Sequence, residues 1–177
     1  MTEVTKRGYS QGSMQKRIAV IFVSRRNSLR SILAEACLAH LDPTRFSAHS
    51  CGQPGQLASE IHPAAIGALK SASMPVPDRP PRSWDDFARS NSPVADFVIT
   101  LDAACQPLEP SWPGQPDAAL WAYPDVAAGK DVEETAHAAI QLLFSLRRRL
   151  ELLVSLPMQG ADRAAVRSDV RDLGYMR

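Results

Sequence analysis

Eight consecutive residues, Ser24-Arg25-Arg26-Asn27-Ser28-Leu29-Arg30-Ser31, follow directly on an apolar run from Ile18 to Val23. Three hydroxyls, one amide and three guanidinium groups at that density suit the capture of an anion. A strand that passes through a short polar loop into a helix start points successive backbone N–H groups into the loop. The unpaired N–H groups of the first helical turn add positive potential. Arg30, at the exit of the loop, is placed to close over an oxyanion with two parallel N–H bonds. Arg25 and Arg26 add cations that attract phosphate, arsenate or an acidic partner, or else simply lie exposed on the rim. The stretch contains no glycine, so it is not a Walker-type phosphate loop.

Positioning these residues takes a strand and a helix, and the rest of the chain repeats that alternation. Ile18 to Val23 reads as a central parallel strand, apolar on both faces. The spacing of Ile32, Leu33, Ala36, Cys37 and Leu41 predicts a helix from about Ser28 to Leu41, ended by Asp42-Pro43. Phe46 to Ser50 is a second strand, followed by a turn-rich stretch through Gly55. His62-Pro63 opens a helix to about Ser71, and residues 74–81, with four prolines, are an extended connection. Ser83 caps a short helix through Phe87, and Ala95 to Leu101 and Ala119 to Tyr123 are the third and fourth strands. The longest helix runs from Lys130 to Pro157, starting near Asp131, with Ala136, Ile140, Leu143, Leu146, Leu150 and Val154 facing inward. Arg147-Arg148-Arg149 reads as a solvated face. A last polar helix, Asp162 to Leu173, either docks loosely or extends away.

The predicted fold is therefore α/β: a doubly wound four-stranded parallel sheet with helices on both faces and ligands at the carboxyl ends of the strands. Ser24, Asp102 and Asp125 each fall just after a strand, so three loops converge on one edge. Asp102 reads first as a loop cap. The expected organisation is a flexible tail over residues 1–16, the α/β domain over 17–157 and a helical extension over 158–177.

Composition narrows the classes. Of 177 residues, 45% are apolar and 22% charged, with a net charge of +1, so bulk electrostatics draws the chain to neither nucleic acid nor membrane. No apolar run approaches the ~20 residues of a membrane span, and the basic N-terminus lacks the apolar core of a signal peptide. A cytoplasmic location follows by default. Cys37, Cys51 and Cys105 have neither metal-ligand spacing nor an even count, which makes them small core residues. No metal or cofactor is expected.

The stretch from Ser24 to Ser31 resembles the phosphate loop of low-molecular-weight protein tyrosine phosphatases and of the thioredoxin-coupled arsenate reductases that share their fold. Their pattern is strand, Cys, five residues, Arg, Ser, helix, with an Asn in the loop. The likeness extends over residues 18–157. Ser31-Ile32-Leu33-Ala34-Glu35-Ala36 is similar to the family's first helix, Ser50-Cys51-Gly52 to its Ser-Ala-Gly segment, and His62-Pro63 to its Asn/His-Pro helix start. Arg82 to Phe87, Asp96 to Thr100 and Trp112 to Pro116 resemble the arsenate reductase branch. Trp121-Ala122-Tyr123-Pro124-Asp125 places Asp125 at the family's general-acid position, with Val126 where a Pro is expected.

The departures are chemical. The resemblance puts a nucleophilic Cys where this chain has Ser24, and a second loop Cys where it has Leu29. The two resolving cysteines belong after the third strand. There this chain reads Leu101-Asp102-Ala103-Ala104-Cys105-Gln106-Pro107-Leu108-Glu109, in which Cys105 matches neither register. A serine hydroxyl is a far weaker acid than a thiol and needs an adjacent base to act as nucleophile, and it cannot form the disulfide that ends a reductase cycle.

The expectation is an inactive homologue whose Ser24 to Ser31 loop still binds phosphate, arsenate, a sulfate-like oxyanion or a phosphorylated protein, with Ser24, Arg30 and Asp125 at the family's catalytic positions. One alternative is an active phosphatase or reductase-like enzyme, with Ser24 as a weak nucleophile or as an engineered replacement of Cys. Another is an interaction module with an empty pocket, working through residues 74–81 and the C-terminal helix.

Overall fold

A computed structural model of the chain describes residues 16–158 and 163–176. The expected tail lies, but for Lys16, outside the described residues. The sheet is built on β1 (Ile18–Val23), which pairs in parallel with β2 (Phe46–Cys51) on one side and β3 (Phe97–Thr100) on the other. With β4 (Asp117–Leu120) beside β3, the order is β2-β1-β3-β4, all parallel. Successive β1 side chains point to opposite faces. Val20 and Phe22 enter the main core, while Ile21 and Val23 enter a smaller cluster with Cys51, Val98 and Cys105.

α1 (Arg30–Leu41), α2 (Pro63–Ser71) and α4 (Val132–Ser155) pack together over the main core. The short α3 (Asp85–Ala88) covers the other face with Trp84 and Phe87. The expected α/β parallel sheet with helices on both faces is thus what the chain forms. The His62 Nδ1 accepts from the Ala64 N–H at 3.0 Å and starts α2, and Asp131 Oδ1 accepts from the Glu134 N–H at 2.8 Å and starts α4. α1 has no side-chain cap, and its first residues, Arg30 and Ser31, are buried.

Two expectations shift, and a third is decided between its alternatives. β4 begins at Asp117 and ends at Leu120, earlier than Ala119 to Tyr123, because Asp117 pairs with Phe97 and bonds Arg163 and Arg167. Trp121 is apolar for another reason: it is fully buried, and its Nε1 donates to the Val170 carbonyl at 2.9 Å. Second, the inward stripe of α4 is Ala139, Leu142, Leu143, Leu146, Leu150 and Leu153, with Ala136, Ile140 and Val154 only half-buried, since the helix meets α1 and α2 at once. Arg149 belongs to that stripe rather than to a solvated face. Its guanidinium stacks 4.6 Å from the Tyr123 ring centre, and Nη2 donates to the Met176 carbonyl at 2.7 Å. Third, the last helix, α5 (Arg163–Asp172), docks beside β4 through buried Val166 and Val170. Among the described residues no helix is long and apolar enough to cross a membrane.

Candidate anion-binding site

The loop between β1 and α1 is held from outside by its carbonyls. Those of Arg25, Arg26 and Ser28 accept from the N–H groups of Gln53, Ala58 and His62 at 2.9, 3.1 and 3.0 Å. Asn27 sits in the left-handed region at φ 50°, which an Asn tolerates and which sharpens the turn. A trans peptide sets its N–H opposite its C=O, so the N–H groups of Arg26, Asn27 and Leu29 point away from those outer partners. Among the described residues nothing accepts from the N–H groups of Arg25 through Leu29. Gly52 lets the outer segment come this close: a Cβ there would lie 2.9 Å from the Arg25 carbonyl oxygen and 3.0 Å from the Asn27 Cβ.

Behind the loop runs a buried network. Asn27 Nδ2 donates to Ser31 Oγ at 2.8 Å and to Ser50 Oγ at 2.9 Å, while its Oδ1 accepts from the Arg82 N–H at 3.0 Å. Ser50 Oγ donates to Glu35 Oε1 at 2.6 Å, and Arg79 pairs with Glu35. Ser24 Oγ lies 2.6 Å from Ser31 Oγ. Asn27 and Ser31 are fully buried, so they shape the loop without facing a ligand.

In front of the loop is a cavity of about 270 Å³, lined by Ser24, Arg26, Ser28, Leu29, Arg30, His62, Asp125, Ala127 and Ala128. Of the residues expected at the site, Ser24, Arg26, Ser28, Leu29, Arg30 and Asp125 face it. Arg25 stands aside, 3.7 Å from Asp102 and 3.9 Å from Asp125, and so bridges two of the three converging loops. The Arg30 guanidinium is already engaged: Nη2 pairs with Asp102 Oδ2 at 2.8 Å and Nη1 donates to the Tyr123 carbonyl at 2.9 Å. Two of its five N–H groups are used to aim it, leaving donors for an anion. Asp102 does cap its loop, accepting from the Ala104 N–H at 3.0 Å, and it holds Arg30 as well.

Sequence reasoning missed His62, Ala127 and Ala128 at the mouth and the pairing of Asp102 with Arg30. A usable signal was present for His62: a helix that starts after β2 starts at the ligand-bearing edge of the sheet. The pairing of Asp102 joins residues 72 positions apart and left no local mark. The cavity adjoins a more apolar groove of about 400 Å³ between the first turns of α2 and α4, sharing His62 and Ala127 with it.

The thiols are poor candidates for chemistry. Burial pushes Cys37 and Cys105 up to about 12, Cys105 also feeling the nearby Asp102 and Glu109 carboxylates, and burial raises Cys51 further still. All three are free and buried, as their spacing implied. Among the described residues no group of three or more His, Cys, Asp or Glu gathers to hold a metal.

Residues 19–112 match the family model described as low molecular weight phosphotyrosine protein phosphatase. The glutaredoxin arsenate reductase of Synechocystis sp. is 30% identical over 93 residues, 52% of this chain and 66% of that protein. The match thus spans just under two thirds of the relative's length. Two solved structures share the fold. An arsenate reductase in the phosphate binding state is 24% identical, with a TM-score of 0.60, covering 78% of this chain and 97% of that one. The tyrosine phosphatase Wzb from Escherichia coli K30, in complex with sulphate, is 16% identical, with a TM-score of 0.59, covering 78% and 99%.

Proposed function

This chain belongs to the low molecular weight phosphotyrosine protein phosphatase family, and on that premise we propose that it binds a tetrahedral oxyanion, free or carried by a phosphorylated partner, without transferring it. One observation carries this reading: a cavity ringed by unpaired loop amides and the aimed guanidinium of Arg30 has Ser24 at its floor, where the resemblance puts a nucleophilic Cys. The amides and Arg30 suffice for binding, which needs donors and positive potential. Transfer needs more. Among the described residues the Ser24 hydroxyl has the Ser31 hydroxyl alone at hydrogen-bond distance, so no base is placed to take its proton. A reductase cycle would need thiols near the cavity, and none of the three cysteines lines it.

The adjoining apolar groove favours the phosphorylated partner over a bare ion, because a ligand wider than phosphate has a surface to lie on. A cytoplasmic setting belongs to the same reading. Equilibrium dialysis against phosphate, arsenate and sulfate tests it. Binding in the micromolar to millimolar range, weakened by Arg30→Lys, is the expected result. No binding of any of the three at millimolar concentration overturns it.

A further inference from the structure

We propose that Ser24 is a hydrogen-bond donor to the bound oxyanion, its proton aimed into the cavity by a one-way chain of hydrogen bonds that begins at Glu35. This rests on the oxyanion-binding reading above and deepens it, turning the position of a lost nucleophile into a ligand for the anion.

The polarity of each link is fixed by the one before it. A carboxylate only accepts, so the Ser50 hydroxyl donates to Glu35 at 2.6 Å. The Ser50 oxygen is then left as an acceptor, and it receives Arg79 Nη2 and Asn27 Nδ2, each at 2.9 Å. The Asn27 amide cannot be reversed, because its oxygen accepts from the Arg82 N–H at 3.0 Å. Its second Nδ2 hydrogen goes to Ser31 Oγ at 2.8 Å. Ser31 is fully buried and has one proton to place, and the acceptor available to it among the described residues is Ser24 Oγ at 2.6 Å. The opposite arrangement, Ser24 donating to Ser31, would leave the Ser31 proton buried without an acceptor, which is costly. Ser24 therefore accepts from behind, and its own proton goes forward into the cavity that it lines.

The direction of this chain decides the chemistry. A nucleophile needs a lone pair toward the ligand and a base behind it; Ser24 has a donor behind it and a proton in front. With the loop amides also pointing inward, the floor presents donors alone, and it accepts a tetrahedral oxyanion that offers bare, unprotonated oxygens to it. A protonated or esterified oxygen must face the mouth instead.

Calorimetric titration of the full chain with inorganic phosphate and with sulfate tests the assignment. Ser24→Ala, folded by circular dichroism, is expected to bind both anions about tenfold more weakly or worse, the loss of one hydrogen bond to a charged group. Ser24→Cys serves as the second variant. Its sulfate affinity is expected to fall more steeply with rising pH than that of the unaltered chain, which carries the same His62 at the mouth, because a thiolate forms at the floor. Ser24→Ala binding within twofold of the unaltered chain, or tighter, overturns the donor assignment and leaves the oxyanion reading standing, as does a Ser24→Cys variant without that pH trend. An unaltered chain that binds neither anion overturns both.

Discussion

Arg30 and Asp102 form a buried ion pair, Nη2 to Oδ2 at 2.8 Å, each side chain only 8% exposed, between the start of α1 and the loop after β3. The pair fixes the cation at the mouth of the cavity while neutralising much of its field. Removing the charge of Asp102 should therefore separate stability from binding. Asp102→Asn is expected to cost about 2–3 kcal/mol of stability, a hydrogen bond to a charged group, and to leave Arg30 in search of an anion. Denaturant unfolding with and without phosphate checks this: phosphate should stabilise the variant more than the unaltered chain, and equal stabilisation would contradict it.

Gly52 sets the position of the loop carbonyls. Its N–H donates to the Arg82 carbonyl at 2.8 Å and its carbonyl accepts from the Trp84 N–H at 2.9 Å, so it cannot retreat from a clash. Gly52→Ala would place a methyl 2.7 Å from Leu57 Cδ2 and 2.9 Å from the Arg25 carbonyl oxygen. Overpacking of this kind costs about 1–3 kcal/mol. Because the push is transmitted to the loop, phosphate affinity should fall several-fold alongside the melting temperature. Lowered stability with unchanged affinity would show that the carbonyl anchor does not control the amides.

Placing a thiol at position 24 asks whether that residue alone decides if the loop turns over a phosphate ester. Turnover of an aryl phosphate is expected to be absent from the unaltered chain and measurable in Ser24→Cys, then reduced again by adding Asp125→Asn. An inactive Ser24→Cys variant would mean that a thiol at position 24 is not sufficient for turnover. Turnover by the unaltered chain would remove the binding-only reading.

His49 makes the fold acid-sensitive. Its ring lies 5.7 Å from that of Phe87 and bonds Ser47 Oγ at 2.8 Å. Burial, reinforced by Arg82, Arg79 and Arg17, depresses its pKa below the usual 6.5. The unfolded chain then binds a proton that the folded chain refuses. The stability linked to His49 is present above 6.5 and is lost as pH falls through the folded-state value. Melting temperatures should decline from about pH 7 to 5, and His49→Gln should flatten that decline.

Much of the site was legible because it is local. The apolar run before Ser24, the polar octet and the helical spacing after it fix a strand, a loop and a helix N-terminus within two dozen residues. Their physics depends on backbone geometry more than on distant partners. Strand β1 was legible to the residue for the same reason: six apolar side chains in a row require burial on both faces. The alternation of strand and helix likewise implied that Ser24, Asp102 and Asp125 share one edge.

Tertiary packing decided the rest. Arg149 reads in sequence as one of three solvated arginines, yet it is buried because Tyr123 and the Met176 carbonyl happen to meet it. Ala119 to Tyr123 reads as a strand, but Trp121 is apolar to receive α5, and Asp117 joins the ladder because Arg163 and Arg167 neutralise it. At the site, the sequence by itself determined a strand, a polar loop rich in donors and a helix start, since these follow from one short segment. The aim of Arg30 and the direction of the Ser24 proton were decided only by the folded chain. Both depend on hydrogen bonds with residues far along the sequence, Asp102 and Tyr123 for the first and Ser50 and Arg82 for the second, and a partner's position in space leaves no trace in the spacing of the residue that bonds to it.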